Sequence, residues 1–169
     1  RTKKTISEKF IDDPQFYKRF SRMLDKILED YRNKRISDAE RLKQAQEVMD
    51  SVRDRTGDNI PAVLKNREIA KAYYGWAQAH LAPFYEGVSD FDEVAAGLAI
   101  QIETAIDVLR IVNWKTDVDV QKSMENAIED AVLTAQASAT SEISFEAIDK
   151  IISDSLDIAT KRLPNEAAR

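Results

Sequence analysis

The stretch NKRISDAERLKQ, residues 33–44, decides how the chain is read, because it holds a turn and the start of a helix together. Ser37, Asp38, Ala39 and Glu40 have capping-box spacing: the serine hydroxyl can accept the amide three residues on, and the glutamate can reach back to the serine amide. Upstream, Phe16, Phe20, Leu24, Ile27 and Tyr31 recur every three or four residues, and downstream Leu42, Ala45, Met49 and Val52 do the same. Each run is the apolar stripe of a helix. Two such helices joined by a short turn at Arg35 to Ser37 make a long antiparallel hairpin. Ile36 stands where a hydrophobic staple would begin, but the partner position holds Arg41, whose aliphatic stem is what can pack there. The first helix is expected to open at DDPQF, with Asp13 as cap and Pro14 at the first helical position. RTGDN, residues 55–59, stops the second at Gly57.

Beyond a short turn at Pro61, Asn66 can cap a third helix through REIAKAYYGWAQAHLA, with Ile69, Tyr73, Trp76 and His80 along one side, until Pro83 and Gly87 end it. Ser89 or Asp90 opens a fourth, carrying Val94, Leu98, Ile102, Ala105, Leu109 and Val112; Asp90 and Glu93 have capping-box spacing. Thr116 or Asp117 caps a fifth, with Val120, Met124, Ile128 and Ala135 or its neighbours inward. Ser144 opens a last helix with Ile148, Ile152, Leu156 and Ala159, ending at Pro164. No run alternates apolar and polar residues between turn signals, so no strand is expected. The chain reads as all-α, an irregular bundle of about six helices that begins with the hairpin and has no sheet. Its expected organisation is a lead-in segment over 1–12, a single helical domain over 13–164 and a tail over 165–169.

Composition agrees with that class. The chain has 169 residues, 43% hydrophobic and 33% charged, with only four glycines and four prolines, which favours long helices over a turn-rich β protein. The absence of cysteine excludes a disulfide scaffold, a cysteine nucleophile and a thiolate metal site. It also fits a reducing interior such as the bacterial cytoplasm. No apolar run approaches the ~18 residues of a membrane span, and RTKKTISEKF has no signal-peptide core, so a cytoplasmic protein without membrane contact is expected. Because it begins with arginine, the chain reads as a piece of something longer. Residues 1–80 hold 18 Lys and Arg against 13 Asp and Glu, while residues 81–169 hold 7 against 17. Such polarity suits either a body that docks in a fixed orientation or ordinary solvated helix faces.

Chemistry has little to stand on. His80 is the single histidine, on the apolar side of a helix beside Trp76, and reads as a partly buried, hydrogen-bonded structural residue. Carboxylate neighbours such as Glu29 with Asp30 or Glu129 with Asp130 diverge by roughly 100° on a helix. There is no Glu-x-x-His motif and no glycine-rich phosphate loop. Tyr73 and Tyr74 could stack on bases, yet AYYG reads more simply as core packing, with Gly75 permitting a close helix crossing. No catalytic, cofactor or metal residue is expected in this chain.

Four stretches together resemble one family. FSRMLDKILEDYRNKRISDAERLKQAQEVMDSVRDR (Phe20–Arg55), IPAVLKNREIAKAYYG (Ile60–Gly75), IVNWKTDVDVQKSMENAIED (Ile111–Asp130) and IDKIISDSLDIATKR (Ile148–Arg162) are similar to the C-terminal helical region of HsdR, the restriction subunit of type I restriction-modification enzymes. The basic, Ile-Ser, Glu sequence at 34–40, the AYYG at 72–75 and the segment around Trp114 carry the likeness jointly. Arg41 stands where an aromatic is expected, and Ala131 and Val132 are smaller than the family's bulky pair. The resemblance implies a helical assembly module lying downstream of a nuclease and an ATP-driven DNA translocase. ATP and magnesium would serve the parent, not this piece. The implied partners are the methyltransferase and specificity subunits, with DNA reached through the parent complex. Lys34, Arg35, Lys43, Arg53 and Arg55 form the candidate docking surface, and a DNA-contacting module is the competing reading of the same basic residues. Ser37 and Glu40 would set the turn, and Tyr73, Tyr74, Gly75 and Trp114 would serve helix packing.

Overall fold

Helical periodicity along nearly the whole sequence becomes helix. A computed structural model describes residues 14–54 and 60–168; it is 77% helical, with six α-helices and no strand among the described residues. The expected lead-in over 1–12, the Asp13 cap and the stop at Gly57 lie outside the described residues. The chain divides into two compact units, Arg1–Asn59 and Ile60–Arg169, where the sequence pointed to one domain over 13–164. The physical reason is that each unit closes its own apolar core, with no buried residue shared between the two clusters.

In the first unit α1 (Pro14–Arg32) and α2 (Asp38–Asp54) pack as a hairpin. Tyr17, Phe20, Leu24 and Ile27 of α1 meet Val48 and Val52 of α2, with Ile36 and Ala45 half-buried against them. On α2 Ala45 and Val52 face inward as expected, but Leu42 is 64% exposed and the buried Val48 stands in place of Met49. Positions 41, 45, 48 and 52 share the inward face at alternating spacings of four and three, which puts Arg41 on that face and Leu42 about 100° away.

The second unit holds α3 (Glu68–Leu81), α4 (Phe91–Leu109), α5 (Val118–Ala135) and α6 (Phe145–Arg162). Each packs on its neighbour in sequence, and α6 packs back on α3, closing a four-helix ring. Two sets of hydrogen bonds fix the up-down-up-down order. At one end Thr140, between α5 and α6, donates both its amide and its hydroxyl to the Phe84 carbonyl, between α3 and α4, at 2.9 and 3.0 Å. At the other end Asn113, between α4 and α5, donates its amide to the Asn165 carbonyl beyond α6 at 3.1 Å. Alanines of α3 (Ala70, Ala77) and α4 (Ala95, Ala96, Ala99) are all fully buried. These two helices share the most extensive interface of the ring, and small buried side chains allow such close approach.

Caps divide the helices in an instructive way. Asp117 accepts the amides of Asp119 and Val120 at 3.1 Å, and Ser144 accepts that of Ala147 at 3.3 Å, so both act as true caps. Asn66 and Asp90 do not. α3 starts one residue later than expected behind Arg67, which makes no side-chain cap bond, and Asp90 makes none either. Asp92 instead accepts from Gln78 at 2.7 Å, tying α4 to α3. No described helix is long and apolar enough to cross a membrane.

Candidate docking surface

The turn between α1 and α2 is built from two interlocked motifs. α1 ends with the Arg35 amide donating to the Asp30 carbonyl at 2.8 Å and the Lys34 amide donating to the Tyr31 carbonyl at 3.0 Å. That pair of bonds is a Schellman ending. Its left-handed position is usually glycine, and here it is Lys34, with φ 55°. Two residues on, α2 begins with the complete capping box: Glu40 donates its amide to Ser37 Oγ at 3.2 Å, and Glu40 Oε2 accepts from the Ser37 amide at 2.8 Å and from the Ser37 hydroxyl at 2.9 Å. Those bonds, the backbone one first, hold the Glu40 carboxyl below its ordinary range.

Arg41 locks the hairpin across the turn. Its guanidinium lies 4.3 Å from the Tyr31 ring centroid and 3.2 Å from Asp38, joining a cation–π contact to an ion pair. Asp38, bonding the Tyr31 hydroxyl, raises that tyrosine's pKa. Arg41 thus sets a cation over the Tyr31 ring where the sequence pattern leads us to expect an aromatic side chain.

Arg32, Lys34 and Arg35 border one shallow depression at this turn and are exposed. Arg35 pairs with Asp30 at 3.2 Å; Arg32 and Lys34 have no ion-pair partner among the described residues. The five basic residues taken from the sequence are not one cluster. Lys43 is exposed on α2 beyond the depression. Arg53 lies in the last turn of α2, so its backbone is about 22 Å along the helix axis from Asp38's end of it, at 1.5 Å per residue. The side chain of Arg53 and all of Arg55 lie outside the described residues. Arg32 was missed from the sequence because it reads there as one basic residue among many on a mixed face.

The packing residues sit in the second unit. Tyr73 and Tyr74 are buried and Gly75 is half-buried in the same helix. Burial, then the nearby charges of Glu103 and Asp107, push the Tyr73 hydroxyl's pKa up. Trp114 is fully buried and donates its indole N–H to the Pro164 carbonyl at 2.8 Å. Arg110 reaches the Glu166 carbonyl at 3.2 Å and Asp107 at 3.1 Å, so the residues after α6 are strapped to the α4–α5 loop. His80 stacks on Trp76, with centroids 5.2 Å apart, and lies 2.7 Å from Asp154. That bond joins α3 to α6. Among the described residues no group of three metal-ligating side chains converges. No protein-family model, curated protein or solved structure matches the chain.

Proposed function

We propose that this chain is the C-terminal helical module of a type I restriction enzyme's R subunit, docking the translocase and nuclease onto the methyltransferase-specificity core. The reading rests on the four family-like stretches, and one structural observation supports it above others. Lys34 occupies a backbone position that glycine fills at lower energy, on an exposed turn held by a Schellman ending, a capping box and a stacked arginine. Backbone strain of this kind clusters at ligand clamps and recognition points, which supports a recognition role for the turn. In this reading the chain contributes no catalytic step, and ATP and magnesium act in the parent's motor and nuclease.

A DNA-contacting module is the second reading, favoured by Arg32 and Lys34 beside one depression, cations with no ion-pair partner among the described residues. Titrating the chain with the core and with duplex DNA over a salt series separates the two. Docking predicts core binding whose association slows with salt, since screening acts on the encounter. DNA contact predicts duplex affinity falling with a log-log slope of about 0.9 per neutralised phosphate. Core binding that survives Lys34→Glu, Arg35→Glu and Lys43→Glu together would remove this turn from the docking proposal.

A further inference from the structure

We propose that the seam between α5 and α6 receives an amphipathic helix from a partner protein, one whose apolar ridge is flanked by lysine or arginine. The inference rests on the docking reading and names the chemistry of the partner. Of the four interfaces in the ring, α5 with α6 is the least extensively packed. A depression runs along it, with Ile152 and Leu156 half-buried in its lining and Glu125, Glu129 and Asp149 beside them.

The exposed residues of the two helices extend this depression into a groove. Val118, Lys122, Glu125, Glu129 and Leu133 recur on α5 at spacings of four and three, and Phe145, Asp149, Ile152 and Leu156 do so on α6. Each set is therefore one stripe facing the seam. Val118 is 78% exposed, Leu133 50% and Phe145 80%, so large apolar side chains lie open along the stripes whose middle lines the depression. Because the two helices are antiparallel, Leu133 and Phe145 fall at the same end. From Val118 to Leu133 the stripe covers about 22 Å, or roughly four turns of a helix laid in the groove. Groove recognition of this kind uses apolar anchors at i, i+3 or i+4, and i+7.

Charge selects the partner. Lys122, the cation of the lining, is held by Glu125 at 2.9 Å, whereas Glu129 and Asp149 form no ion pair among the described residues. The unit that bears the groove, residues 60–169, holds 10 Lys and Arg against 18 Asp and Glu. An acidic rim in an acidic field repels nucleic acid and acidic peptides and steers a basic helix into place.

The test uses two synthetic helical peptides of about 18 residues, with the same leucine ridge and either lysine or glutamate on the flanks. Fluorescence anisotropy at low salt should show the basic peptide binding at least about tenfold more tightly, with the preference shrinking as salt rises. Glu129→Lys with Asp149→Lys should abolish or invert it, and Phe145→Asp should weaken the basic peptide; all three positions are at or near the surface, so folding is retained. Equal affinity for the two peptides, or an unchanged preference in the double variant, overturns the proposal. So does self-association of the chain that Phe145→Asp abolishes, which would make a second copy the occupant. Assembly with the methyltransferase core is read on the same double variant. Intact assembly despite lost peptide preference overturns the groove as the docking site and leaves docking standing. A retained peptide preference in a chain that never binds the core supports the groove and sinks the docking reading instead.

Discussion

Replacing Lys34 with glycine should make the protein more stable and its docking weaker, and the two effects together test what the turn is for. Lys34 sits at φ 55° as the left-handed residue of the Schellman ending. An L-residue held there costs roughly 1–2 kcal/mol relative to the right-handed form, a cost that glycine escapes. Glycine returns about 0.4–1 kcal/mol of this through the greater freedom of its unfolded chain. Lys34→Gly should therefore stabilise the hairpin by about 0.5–1 kcal/mol. Urea denaturation followed by circular dichroism would read the gain, and amide exchange at Arg35 and Glu40 would localise it to the hairpin, slowing by a few-fold. Association with the methyltransferase core should slow, because a steering charge is gone. Lys34→Asn, neutral but tolerant of the left-handed region, should share the loss of association and show a smaller gain in stability. A destabilised glycine variant would refute the strain argument. A stabilised one that assembles at the wild-type rate would refute the recognition role.

Other perturbations probe the surrounding supports. Ser37→Ala removes the cap on the Glu40 amide while leaving the Ser37 amide held by Glu40, and should cost roughly 1 kcal/mol in the hairpin's unfolding; an unmoved midpoint would show that Arg41 over Tyr31 suffices. Glu40 has its carboxyl pKa lowered from 4.5 by bonds from Ser37, so its contribution is full above that value and is lost as pH falls through the lowered one. The advantage of wild type over Glu40→Ala should be constant at neutral pH and vanish in acid; an advantage that grows on acidification contradicts the capping box. Trp114→Phe leaves the Pro164 carbonyl without its indole donor in a fully buried site. It should cost about 2–3 kcal/mol, combining the lost bond with a cavity, and should speed amide exchange at Asn113 and Lys115. A loss below about 0.5 kcal/mol would mean that Arg110 and the Asn113–Asn165 bond hold the strap without the indole.

Periodicity made the helices legible, and side-chain chemistry made some of their starts legible too. Ser37 with Glu40, Asp117 and Ser144 all cap as their spacing indicated. Asp90 with Glu93 had the same spacing and no capping bond, because Asp90 sits at φ −101° and ψ 19°, outside the extended region that Asp117 and Ser144 take when they cap. In α2 Ala45 and Val52 face inward as expected, whereas hydropathy favours Leu42 over Arg41, although Arg41 is the residue stacked on Tyr31. The Schellman turn left no trace in the sequence, since lysine stands where glycine would have marked it. Asp154 could not have been matched to His80 across 74 residues, and the division into two units depends on which stripes face each other, information that no single stripe carries.

The boundary between units changes what the charge asymmetry means. Cutting the sequence at residue 80 gives a basic half and a much more acidic one, but the units divide at Asn59 and Ile60. Up to residue 59 there are 15 Lys and Arg against 12 Asp and Glu, and Lys65, Arg67 and Lys71 belong to the acidic unit. The hairpin unit's net charge is therefore small, and its field at long range is weak. Any steering by the basic turn must come from local charges, Arg32 and Lys34, which have no ion-pair partner among the described residues, within a Debye length of about 8–10 Å. The second unit is different, because its excess of carboxylates acts over the whole body and focuses on a groove with open apolar side chains. Salt should accordingly slow binding at the turn less than binding at the groove, and the two surfaces can be told apart by that difference before either partner is known.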